Sequence, residues 1–145
     1  MISTALAQRL RDAGLAWAPV SGDVFQLAPG SGVGADGELE GDLFTVSDMT
    51  IEAHVYPTGT VLGFNGTTEW ALDSVSLEDA LWLPREDQLR DLLQSTFRGL
   101  DRIDDGVIIY RVRVERAGES REFSSDDPAE AYGLAVLELV RASTA

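Results

Sequence analysis

Helix signals stand at only three places in the chain, and between them the sequence is written in short alternating strands joined by turns. Ser3 precedes Leu6, Leu10 and Ala13, an apolar stripe at helical spacing, and Gly14 is placed to end it. Pro84 suits the first position of a second helix because the amide proton it lacks would find no partner there. Glu86 and Asp87 near its start and Arg98 near its end complement the helix dipole. Leu89, Leu92, Leu93 and Phe97 supply its buried stripe. The third start is the fullest: Asp127 as N-cap, Pro128 at the first helical position and Glu130 at the third, in a capping-box pattern. Within that helix Leu134, Leu137 and Val140 are expected to face inward, with Tyr132 and Val136 at the margin.

The intervening sequence alternates. Strands are expected at 24–27, 43–46, 51–56, 60–64 and 67–72, the last carrying Trp70. Another spans 106–115 and returns at 121–123. Turns at Ser21-Gly22-Asp23, Pro57-Thr58-Gly59, Asn65-Gly66 and Ala117-Gly118-Glu119 connect them. Residues 77–83 are apolar enough for either a buried strand or a turn of helix. Strands joined this closely pair antiparallel, and regular strand–helix alternation is absent. The expectation is an α+β fold: a single layer of mostly antiparallel sheet with about three helices packed on it.

A chain of 145 residues is one domain by length, so residues 1–145 are expected to form a single domain with a flexible, acidic, glycine-rich loop at about 28–42. Cysteine is absent, which removes disulfides, thiolate nucleophiles and cysteine-based metal sites together. Arg9 and Arg11 come before any long apolar run, so the first residues do not have the form of a signal peptide, and no stretch is apolar enough to span a bilayer. A cytoplasmic protein is the expectation.

The charge is unevenly spread. The formal net charge is −14, all eleven basic residues are arginine, and none lies between Arg11 and Arg85. Residues 12–84 carry twelve carboxylates with no compensation. Such a surface repels phosphate backbones and anionic lipid, which argues against nucleic acid and membrane and in favour of a basic partner. The candidate acidic face comprises Asp36, Glu38, Glu40, Asp42, Asp48 and Glu52.

Catalytic and metal patterns fail one by one. Gly32, Gly34 and Gly37 have dinucleotide-fingerprint spacing, but acids follow where a helix should cradle phosphate. Asp36, Glu38, Glu40 and Gly41 imitate half a calcium loop whose twelfth position holds Ser47 in place of glutamate. His54 is the one histidine and reads as an exposed structural residue on a strand, with no zinc constellation and no G-x-S-x-G elbow near it. No catalytic residue, metal or cofactor is therefore expected. A second candidate is a pocket walled by Trp70 and Trp82 with Glu69 and Asp73 beside them. Glu69 and Asp73 share a face only on a helix, so they do not form an acid–base pair on the expected strand.

The blocks VSDMTIEAH, GFNGTTEWALDS, LWLPREDQLRDLL and DPAEAYGLAVLEL resemble a family of small acidic bacterial proteins, mainly actinobacterial, some of which carry a pilus-assembly label. That label implies a nucleotide-binding ATPase. The chain departs from it, having no P-loop lysine and no lysine at all, so the resemblance transfers no catalytic residues. In size, acidity and α+β character the chain is also similar to acidic immunity proteins that neutralise bacterial toxins. The leading expectation is a non-enzymatic protein-binding module, immunity- or adaptor-like, with an acidic contact face. The alternatives are a small-molecule-binding protein or enzyme with a tryptophan-lined pocket, and a subunit of a bacterial assembly.

Overall fold

The hydroxyl of Ser3 accepts a hydrogen bond from the Leu6 amide at 3.1 Å and starts the first helix, α1 (Thr4–Ala13). Gly14, at φ 111°, closes it in the left-handed region that a side chain would strain. The computed structural model describes residues 1–30, 41–47, 51–64 and 74–144. They belong to two units: Met1–Ala16 with Pro84–Ala145, and Trp17–Leu83, which in chain order lies between α1 and the next helix.

The Trp17–Leu83 unit contains β1 (Val24–Leu27), β2 (Phe44–Thr45), β3 (Ile51–Tyr56), β4 (Gly59–Phe64), β5 (Ser74–Ser76) and β6 (Ala80–Trp82). Among the described residues these form two antiparallel sheets, ordered β2-β1-β6 and β3-β4-β5. The strands expected at 24–27 and 51–56 have those bounds, while 43–46 shortens to two residues. Residues 77–83 are both things the sequence allowed: a 3-10 turn over Leu77–Asp79, then β6. The Ser76 hydroxyl donates to the Asp79 carboxylate across that turn at 2.9 Å. The Asn65-Gly66 turn, the strand at 67–72 and residues 31–40 of the expected loop lie outside the described residues.

Alternation along these strands sends Phe25, Leu27, Ile51, Leu62, Phe64 and Val75 into one core. Phe25 sits at its centre, fully buried, with ring centroids 5.4 Å from Phe44, 5.7 Å from Trp17 and 6.4 Å from Phe64. The mixture of tilted, stacked and edge-on rings is how aromatic quadrupoles pack without opposing like faces.

The other unit adds α2 (Glu86–Leu93), β7 (Phe97–Asp104), β8 (Ile108–Arg116), β9 (Glu119–Ser125) and α3 (Pro128–Thr144) to α1. Its sheet is antiparallel with order β7-β8-β9. The α+β architecture with three helices and antiparallel strands thus holds, and the strands are divided among three small sheets.

The structure departs from the sequence pattern at four places. Pro84 is not the first helical residue of α2; Arg85 is its N-cap, and the Arg85 amide donates to Gln88 Oε1 at 2.9 Å. A guanidinium has no acceptor with which to return that bond. Desolvation acts against charge on Asp87, yet Arg85 at 3.2 Å, with the amides of Asp87 and Gln88, outweighs it and holds the carboxyl below its ordinary range.

The helix also stops early. Gln94 takes φ 51°, and a 3-10 turn over Gln94–Thr96 leads the chain into β7, so Phe97 and Arg98 are strand residues. The Thr96 hydroxyl holds the turn by donating to the Leu93 carbonyl at 2.6 Å. Third, Glu130 does not close a capping box. Asp127 caps α3 by accepting from the Ala129 amide at 2.8 Å, but Glu130 accepts from the Ser3 amide at 2.7 Å and joins the starts of α1 and α3. The Asp127 amide goes instead to Ser125 Oγ at 3.2 Å. Fourth, Tyr132 and Val136 are among the deepest residues of this unit, whereas Leu134 and Val140 are half-buried. The reason is that α3 packs against α1, α2 and the sheet together, so its buried arc is wider than one stripe. Gly133 permits the approach of α1, since a side chain there would strike Leu6.

Candidate functional site

The unit Trp17–Leu83 holds eleven of the carboxylates and neither arginine nor lysine. Of the six acids assigned to a contact face, Asp42 is exposed just before β2 and Glu52 is half-buried on β3. Asp36, Glu38, Glu40 and Asp48 lie outside the described residues, as do Trp70, Glu69 and Asp73 of the second candidate site.

Trp82, the remaining member of that pocket, is half-buried at the end of β6. Its indole lies flat against Trp17, with ring centroids 6.1 Å apart and planes 6° from parallel. The Trp17 Nε1 donates to Asp23 Oδ2 at 2.9 Å, and the Val20 amide donates to the same oxygen at 3.0 Å. Asp23 is 1% exposed, and its own amide and carbonyl bond Val20 and Val46. The sequence placed Asp23 only in a turn. Nothing local distinguishes an aspartate that ends a loop in water from one that is carried inward to hold an indole.

Among the described residues, the β3–β4 hairpin carries the most exposed apolar side chain of the unit, Val55. The hairpin register pairs Ile51 with Phe64 and Tyr56 with Gly59, with no bulge between. Ile51, Ala53 and Val55 share one face and Glu52, His54 and Tyr56 the other, as alternation requires. The core covers only the near end. Ile51 is buried, Ala53 half-buried, and Val55 81% exposed, with Tyr56 at 53% beside it. His54 lies over Gly63, whose missing side chain makes room for the imidazole, and its Nε2 is 3.8 Å from the Glu52 carboxylate. That contact gives the histidine a structural place on the strand.

In the unit of Met1–Ala16 and Pro84–Ala145, a cavity of about 190 Å³ opens between the β8–β9 hairpin and α3. Its apolar floor comes from Leu93, Val114, Phe123, Ala135 and Leu139. Arg121 crosses its rim to pair with Glu138. No sequence motif marked this space, because its walls come from three elements distant in the chain.

Among the described residues, no three histidine, cysteine or carboxylate side chains gather as a metal site, and no helix is long and apolar enough to cross a membrane. No protein-family model matches the chain, no curated protein matches its sequence, and no solved structure matches its fold.

Proposed function

We propose that the chain is a non-enzymatic, cytoplasmic protein-binding module whose Trp17–Leu83 unit presents an acidic surface to a basic partner protein. One observation carries the reading: the stretch without a basic residue, between Arg11 and Arg85, coincides with a unit that builds its own core. Eleven carboxylates on a unit with no internal cation give a field that attracts cationic surfaces and accelerates their encounter. Stability gains nothing from such a distribution, because like charges on one unit repel.

The test is a titration with nona-arginine, followed by amide chemical shifts at low and high salt. Shifts confined to residues 17–83, and lost as the Debye length falls from about 10 Å toward about 3 Å, support the reading. Shifts spread over both units, or binding insensitive to salt, exclude it.

A second reading, small-molecule binding, draws on the cavity lined by Phe123, Ala135 and Leu139. Its volume of about 190 Å³ would hold little more than a single ring, since about 150 Å³ suffices for benzene.

A further inference from the structure

We infer that the outer edge of β3 is where the partner's chain docks, as an added strand formed by an extended segment with arginine or lysine at alternate positions. The inference rests on the acidic-surface reading and specifies the contact within it.

The sheet order β3-β4-β5 puts β3 at an edge. Tyr56 and Gly59 close the hairpin as a pair, so Tyr56, His54 and Glu52 direct their peptide groups to β4. Ile51, Ala53 and Val55 then direct theirs outward. The Ser47 amide confirms the phase by donating to the Ile51 carbonyl, from outside the β3–β4 pairing, at 2.7 Å. Beyond that bond, the N–H and C=O groups of Ala53 and Val55 have no strand partner among the described residues. They form a short template for another chain.

Edges are ordinarily guarded by lysine, proline, a bulge or brevity. The other strands at the edges of these sheets carry such guards. Strands β2, β5 and β6 have two or three residues each. Strand β7 is bulged between Phe97 and Gly99 and bears Arg98, Asp101, Arg102 and Asp104. Strand β9 carries Glu119, Arg121 and Glu122. Strand β3 has six residues and a regular register, with neither lysine nor proline. Its one carboxylate is Glu52, and Val55 and Tyr56 stand exposed on opposite faces at its far end.

Charge selects the occupant. A second copy of this chain carries the same formal net charge of −14, so two copies meeting at this edge repel. An extended basic segment meets the opposite condition: backbone bonds to Ala53 and Val55, a cationic side chain toward Glu52, and an apolar side chain against Val55. Backbone pairing supplies affinity and alternate side chains supply selection, as in other strand additions.

The experiment uses the full chain and two synthetic peptides, acetyl-Arg-Val-Arg-Val-Arg-Val-Arg-amide and the same peptide N-methylated at alternate residues to block strand pairing. The expected result is salt-sensitive binding of the first peptide, with hydrogen exchange at the Ala53 and Val55 amides slowed by about tenfold or more. The methylated peptide, of equal charge, should bind about tenfold more weakly. Ala53→Pro, which removes an outward N–H while leaving the β4 bonds, should weaken the first peptide to the level of the second. Equal binding of both peptides without protection of Ala53 and Val55 overturns edge docking and leaves the acidic-surface reading standing. Failure of both peptides to bind overturns that reading and the docking with it. Protection of the same amides by self-association, without peptide, assigns the edge to a second copy and overturns the proposed occupant.

Discussion

The two units use charge in opposite ways. On the sheet of the terminal unit, arginine and carboxylate stand on neighbouring strands and neutralise one another. Arg113 bonds Asp101 at 2.8 Å, Arg111 lies 3.5 Å from Glu122, and Arg98 lies 3.5 Å from Glu115. In the Trp17–Leu83 unit the carboxylates have no arginine or lysine of their own. Among the described residues, Glu52 meets His54, and Asp23 and Asp79 accept hydrogen bonds from within the unit. Burial differs too. One unit packs helices on a sheet around Tyr132 and Leu89, and the other packs two small sheets around phenylalanine rings. A unit that neutralises its own surface presents little net field. One whose carboxylates have neither arginine nor lysine beside them in the same unit keeps a negative field.

The aromatic core of the Trp17–Leu83 unit is most sensitive at Phe25. Phe25→Ala empties the centre of the aromatic core and should cost about 3–5 kcal/mol. Denaturant unfolding followed by tryptophan fluorescence is the measurement, because Trp17, Trp70 and Trp82 all fall within residues 17–83. A smaller loss, about 1–3 kcal/mol, should follow Asp23→Ala, which leaves the Trp17 indole N–H and the Val20 amide without their acceptor. Asp23→Asn, keeping one acceptor oxygen, should recover part of it, and equal losses for the two variants would show that the carboxylate charge is what matters. The smallest effect sharpens the contrast from the other side. A double-mutant cycle on Asp101 and Arg113, each nearly half exposed, should yield a coupling of about 0.2–1 kcal/mol. These pairs would then be understood as cancelling charge more than as holding the fold. A coupling of several kcal/mol would contradict that view.

Much of the fold was legible because the deciding physics is local. The Ser3 cap, the Gly14 stop, β1, β3 and the Asp127-Pro128 start need only neighbours within one turn of chain, and each stands where the sequence put it. The Ala117-Gly118 turn belongs with them, with both residues at positive φ. What was missed has a common cause. The apolar spacing of Leu89, Leu93 and Phe97 continues a helical pattern past its end, and Gln94 gives no glycine signal of the left-handed turn that ends it. The bulge between Phe97 and Gly99 interrupts the alternation that would have revealed β7. Of the candidate site, the acidic residue types and the lack of arginine were readable directly. The edge position of β3 among the described strands was not, since a period of two is the same for a central strand and an edge strand until the neighbours are known.

By itself the sequence determined which segments become helix or strand wherever caps, turns and alternation agree, and it determined that the charge is segregated. Tertiary structure decided what those residues face. Glu130 reaches Ser3 instead of closing its own cap, Tyr132 is enclosed because three elements meet on α3, and Asp23 is carried inward to accept from an indole N–H. The first two outcomes depend on groups far apart in the chain, and the third on a short loop folding back on itself, because burial and hydrogen-bond partnership are properties of neighbours in space, and helix or strand spacing carries no record of them.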